Sequence, residues 1–147
     1  MEILLEELTG GLSDWKQFTR FVIRLIAAML LGAIVGYERE RAGKAAGLRT
    51  HMLVAMGSAL FVISCTASEM SIDGLSRVIQ GIATGIGFIG AGAILKRRDE
   101  REIEGLTTAA GIYMTAATGV AVGLGLLGLA LLFLPLGAAR KLCPERH

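Results

Sequence analysis

Arg77-Val-Ile-Gln-Gly-Ile-Ala-Thr-Gly-Ile-Gly-Phe-Ile-Gly-Ala-Gly-Ala-Ile-Leu-Lys96 is the stretch that decides the fold. Between its two cations lie eighteen uncharged residues, five of them glycine. That is about the length a helix needs to cross a bilayer. In water so much glycine weakens a helix, whereas in lipid every backbone group must bond internally and small residues let helices approach closely. At about 100° per residue, Gly81, Gly85 and Gly92 fall on one line, with Ala83, Gly87 and Gly90 roughly opposite. Ile79, Ile82, Ile86 and Ile89 fill one sector between these seams, and Gln80 and Thr84 fill the other. The pattern predicts a central helix with its isoleucines toward lipid or a loose neighbour. Its glycine seams are expected to pack tightly, with Gln80 and Thr84 turned inward.

The rest of the chain has the same character. It has 147 residues, 53% hydrophobic, with a mean hydropathy of +0.60. The apolar residues form long runs with the charges between them, the layout of a polytopic membrane protein. A net charge of +2 gives no ground for a nucleic-acid partner. Residues 1–20 read as an interfacial segment. Ile3, Leu4, Leu5 and Leu8 give one apolar face, and Trp15 and Phe18 suit an aromatic anchor. Glu2, Glu6 and Glu7 stand where a cleavable signal peptide needs basic residues.

Five spans are expected, over residues 21–37, 48–67, 78–95, 106–122 and 124–139, with 141–147 as a tail. The last two come from a 34-residue apolar run, roughly 51 Å long as a helix and too long for one crossing. Charge supports dividing it at Val122-Gly-Leu-Gly-Leu126. Arg39, Arg41, Lys44 and Arg49 follow the first span, Lys96, Arg97, Arg98 and Arg101 follow the third, and Arg140, Lys141 and Arg146 end the chain. The segment 68–76 has only Glu69 and Asp73. The positive-inside rule puts the basic segments in the cytoplasm. An all-α bundle of five helices follows, N-terminus outside and C-terminus inside.

Four blocks carry a resemblance. They are Gly32-Ala-Ile-Val-Gly-Tyr-Glu-Arg-Glu-Arg41, Lys44-Ala-Ala-Gly-Leu-Arg-Thr-His-Met-Leu-Val54, the first sixteen residues of the opening stretch, and Gly105-Leu-Thr-Thr-Ala-Ala110. In this order they closely resemble the MgtC/SapB family of bacterial inner-membrane proteins. The resemblance covers about residues 20–140. It implies a five-helix membrane domain and a role in adaptation to low magnesium, acid or life inside a host. It also implies regulation of other membrane machinery, with the proton-driven ATP synthase as a partner and membrane potential as the quantity affected. Larger members carry a further C-terminal cytoplasmic domain, and this chain is expected to be a short member without it.

Three constellations could carry function. The first is the charged cluster Glu38, Arg39, Glu40 and Arg41, with Lys44, Arg49, Thr50 and His51 following. The start of the second helix offers free N–H groups and a positive dipole end, so Lys44, Arg49, Thr50 and His51 are a candidate anion site for phosphate or a lipid headgroup. The same cations also serve as topology determinants. The second is one broad face of the fourth helix, Glu104, Thr107, Thr108, Gly111, Thr115 and Thr118. It is expected to pack on the glycine seams, with Gln80 and Thr84 as partners, or else to line a polar conduit. The third is Arg24, an ionisable group inside the first span.

No residues form a recognisable nucleophile motif, so no enzyme is expected. Two histidines without a carboxylate pair give no metal site, and no cofactor is expected. The expected protein is a homo-oligomer, a dimer by preference, in the lipid bilayer. Its rival readings are a small oligomeric ion transporter or channel and a lipid- or phosphate-binding scaffold. Cys65 near the outer end of one span and Cys143 in the tail should lie a bilayer apart, too far for a disulfide. In intact cells, an impermeant thiol reagent should leave Cys143 unmodified. Labelling of Cys143 from outside would overturn the five-span topology.

Overall fold

A computed structural model of the chain describes residues 15–96 and 103–132. The elements are α1 (Trp15–Arg41), α2 (Leu48–Ala67), α3 (Ile72–Gly92), β1 (Leu95–Lys96), β2 (Ile103–Glu104), α4 (Leu106–Gly123) and α5 (Leu127–Leu132). The fold is all-α. The two short strands form one antiparallel pairing, Leu95 with Glu104 and Lys96 with Ile103.

Three helices are long and apolar enough to cross a membrane: α1, α2 and α4. The α3 helix has 21 residues but falls outside that set. Its glycines contribute almost nothing to apolarity, and Asp73, Arg77 and Gln80 lower it further. The expected bounds hold for α2 and nearly for α4. The other helices shift for local reasons. Ser71 caps α3, its Oγ accepting from the Gly74 N–H at 3.2 Å, so the helix starts at Ile72 and absorbs Asp73 and Arg77. It stops at Gly92 because Leu95 and Lys96 join the strand pair. At its other end, α1 runs past Tyr37 and carries the cluster Glu38–Arg41 on its last turn; Gly43, at φ 66°, then ends it. Gly125, at φ 84°, makes the break after α4 where the glycine pair predicted one. Residues 1–14 and 133–147 lie outside the described residues, as do Arg97, Arg98 and Arg101.

Contacts give the helix directions. Gly32 lies against His51 and Gly36 against Leu48, so α1 and α2 are antiparallel. Gly119 meets Ala55 and Ser58, and Gly123 meets Ala59 and Val62, so α2 and α4 run parallel. Gly90 meets Ala109, so α3 opposes α4. The four helices therefore alternate up and down. The centre is made of small residues: Ala28, Ala55, Ala59, Ala121 and Ala130 join Leu31, Ile63 and Val122 in one buried cluster. Ala46, Ile86, Ile112 and Ala116 form a second. Small side chains let backbones approach, which is how helices gain contact where lipid removes the hydrophobic drive between them.

The α3 helix faces the other way from the sequence expectation. Ile86 is buried, Ile79 and Ile82 are half-buried, and Gln80, Thr84, Gly81, Gly85 and Gly92 are exposed. Among the described residues, a Cβ added at Gly81, Gly85, Gly87 or Gly92 would meet nothing within 4 Å, and of the five seam glycines Gly90 alone packs, on Ala109. Ile79, Ile82 and Ile86 take the inner face, while Ile89 stays exposed, because α4 offers Ile112 and Ala116, an apolar surface that branched side chains fill.

The close glycines lie elsewhere, on α1 and α4. A Cβ on Gly32 would sit 2.6 Å from the His51 carbonyl oxygen and one on Gly123 2.8 Å from the Val62 Cβ, while one on Gly119 would collide with the Ala55 carbonyl oxygen. In detergent, Gly119→Ala should lower unfolding stability by about 1–3 kcal/mol, the usual cost of overpacking, while Gly87→Ala should leave it unchanged. Equal melting behaviour of the two variants would mean that α4 does not meet α2 through Gly119.

Candidate functional site

The polar residues inside the bundle gather where α1, α2 and α4 meet. His51 sits in the first turn of α2 and is fully buried. Its Nδ1 lies 2.7 Å from Thr115 Oγ1. The Thr115 hydroxyl also donates to the Gly111 carbonyl at 2.9 Å, so the same oxygen stands between the imidazole and the α4 backbone. Among the described residues, Nε2 is buried with no hydrogen-bond partner. Arg39 reaches in from the last turn of α1. Its guanidinium covers Gly111, where a Cβ would lie 3.1 Å from Nη2, and its charge acts on the His51 ring. Arg39 thus needs a glycine on α4, and His51 needs a hydroxyl one turn further along.

The expected anion site is not assembled as a unit. The Leu48 N–H at the start of α2 donates to Glu40 Oε2 at 2.9 Å, so a carboxylate of the chain itself meets that donor. Arg49 is exposed, Thr50 and Lys44 are half-buried near the surface, and His51 turns away into the core. Arg41 stacks on Tyr37 with its guanidinium carbon 5.7 Å from the ring centroid, within cation–π range. Glu38 is half-buried.

The α4 face also meets different neighbours. Thr108, Gly111, Thr115 and Thr118 are buried, Gly111 beneath Arg39 of α1 and Thr115 against His51 of α2 rather than on the α3 glycines, and Thr107 is exposed. The Thr118 hydroxyl donates to the Met114 carbonyl in its own helix, and Thr84 does the same to Gln80. Arg24 closes the far end of the bundle. Its Nη1 donates to the Gly123 carbonyl at 2.9 Å, placing a cation at the C-terminus of α4, where the helix dipole favours one. Its guanidinium also crowds the site of a Cβ on Gly125.

Sequence reasoning singled out Arg24, Arg39, His51, Gly111 and Thr115 but did not join them. His51 and Thr115 are 64 residues apart. The available signal was that His51 opens α2 just after the basic segment and that Gly111 and Thr115 lie one turn apart on the polar face of α4. On the outer surface, α2 and α3 leave a groove of about 620 Å³, lined among others by Leu53, Gly57, Phe61, Gly81, Gly85 and Ile89.

A bundle of apolar helices around a few internally bonded polar groups defines a helical membrane protein. Residues 25–139 match the MgtC family, and the chain belongs to that family. It is similar to Protein SrpB of Synechococcus elongatus, 49% identical over 130 residues, 81% of this chain and 70% of that protein. It is similar to the Putative magnesium transporter YhiD of Escherichia coli, 50% identical over 113 residues, 72% of this chain. Protein MgtC of Salmonella typhimurium is 45% identical over 105 residues, 71% of this chain. The chain spans 52% of YhiD and 44% of MgtC. No solved structure matches.

Removing the Thr115 hydroxyl leaves both imidazole nitrogens without a partner. Thr115→Val should cost about 1–3 kcal/mol of stability, and adding His51→Leu should recover part of it, because both polar groups are then gone. A double-mutant cycle by unfolding in detergent reads this coupling. Additive losses would show that the pair does not interact.

Proposed function

We propose that this chain is a multi-pass protein of the bacterial inner membrane that regulates other membrane machinery, rather than conducting an ion itself. One observation carries the reading: the centre of the bundle is filled backbone to backbone. Gly32, Gly119 and Gly123 hold α1 and α4 on α2, and Thr115 and Thr118 donate to carbonyls of their own helix. A conduit needs polar groups free to replace an ion's hydration shell. The central polar groups here are instead an arginine laid over Gly111, a histidine bonded to Thr115, and hydroxyls bonded to their own helix backbone.

The alternating helix directions support the orientation with the basic end in the cytoplasm. Arg39, Arg41, Lys44 and Arg49 flank the α1–α2 connection, while Glu69 and Asp73 flank the α2–α3 connection. Resemblance to the family adds the setting: low magnesium, acid or a host environment, with membrane potential or the proton-driven ATP synthase as the regulated quantity. A regulator of this kind acts through helix faces presented to lipid and through its basic end. The name of the Escherichia coli relative favours a second reading, a magnesium transporter.

Two measurements separate these readings. ATP-driven proton pumping in inverted membrane vesicles should change when the chain is co-expressed. Proteoliposomes containing the purified chain should take up Mg²⁺ no faster than empty liposomes. Saturable Mg²⁺ uptake with unchanged proton pumping would replace the regulator with the transporter.

A further inference from the structure

The outward face of α3 is built like the inside of a membrane protein. Asp73, Arg77, Gln80, Gly81, Thr84 and Gly85 are all exposed on it, while Ile79, Ile82 and Ile86 turn toward the bundle. Gly81 and Gly85 have open space where a side chain would be. They are four residues apart, the spacing that lets two helices cross at backbone contact. The Gln80 carboxamide has no hydrogen bond among the described residues, and a carboxamide facing hydrocarbon without a partner is costly. By length and composition α3 also falls outside the set of helices apolar enough to cross a membrane. Lipid is therefore a poor cover for this face, and protein is a good one.

The chemistry of the face selects its occupant. Asp73 and Arg77 are one turn apart, and neither forms an ion pair among the described residues. A two-fold axis along the membrane normal sets identical residues at equal depth, so each Asp73 comes within a turn of the other copy's Arg77. The carboxamide of Gln80 both donates and accepts, so it can pair with its own copy. An isologous contact demands this self-complementarity.

We infer that two copies of this chain meet through α3, with Gly81 and Gly85 at closest approach, Gln80 bonded across the axis, and Asp73 of each copy paired with Arg77 of the other. The inference rests on the multi-pass reading of α3. The expected dimer of the sequence thereby acquires a specific face, the one that the described residues leave open.

Single cysteines in a Cys65→Ser, Cys143→Ser background of the full chain test it in native membranes. Thr84→Cys should oxidise to a dimer with at least about ten times the yield of Leu30→Cys, which is exposed on α1. Asp73→Arg should weaken the dimer, and adding Arg77→Asp should restore it. Equal yields at residues 84 and 30, or Thr84→Cys captured on a protein of different mass, would overturn the inference. So would failure of the reversed pair to restore the dimer. Labelling of Ser71→Cys and Ala42→Cys with an impermeant reagent keeps the two readings apart. Accessibility from the same side would sink the multi-pass reading, whereas accessibility from opposite sides without cross-linking would sink the dimer alone.

Discussion

The approach of α4 to α2 is the constraint on which the rest of the structure depends. Gly119 and Gly123 bring α4 within backbone contact of Ala55, Ala59 and Val62. At that distance only hydrogen or a small apolar group fits between the helices, which accounts for the alanines of the central cluster. The same approach places Thr115 beside His51 and sets their hydrogen bond in a dry core. A bond formed there has no competition from water, and each group would be costly without the other.

Helix α1 fastens this pair at both ends. Arg24 and Arg39 are fifteen residues apart, roughly 22 Å along a helix. Arg24 donates to the Gly123 carbonyl at the end of α4, and Arg39 lies across its first turns at Gly111. Two arginines thus bracket one helix, each over a glycine that makes room for the planar guanidinium. In an apolar medium this serves two ends. The cation neutralises a helix terminus or sits near the membrane surface, and its stem covers apolar neighbours. Such a bundle is rigid in its centre, and what it offers outward is a set of helix faces.

Much of the architecture was legible beforehand. The bounds of α2, the break at Gly125 and the alternation of apolar runs follow from local composition, and so does the all-α class. The assignment of α3 faces was not legible. Its isoleucine and glycine sectors were both visible, but a helix with two contrasting sectors can bury either. The neighbour decides, and α4 presents Ile112 and Ala116 to it. The candidate anion site has a neighbour that the helix start alone did not reveal. The physics that makes a helix start attract an anion is general, and Glu40, eight residues before Leu48, was near enough to supply one from within the chain.

What the amino-acid order determined by itself is the membrane-suited set of helices, their ends and the sorting of charge between their connections. These are properties of neighbours along the chain: hydropathy, glycine at positive φ, and caps within a turn. Only the tertiary structure decided which glycines carry contacts, that Arg39, His51 and Thr115 meet, and that α3 turns its polar and glycine sector outward. These depend on distances between segments up to 99 residues apart, as for Arg24 and Gly123. Helical periodicity shows that a face exists, but the partner that fills it is set by the shapes of the other helices.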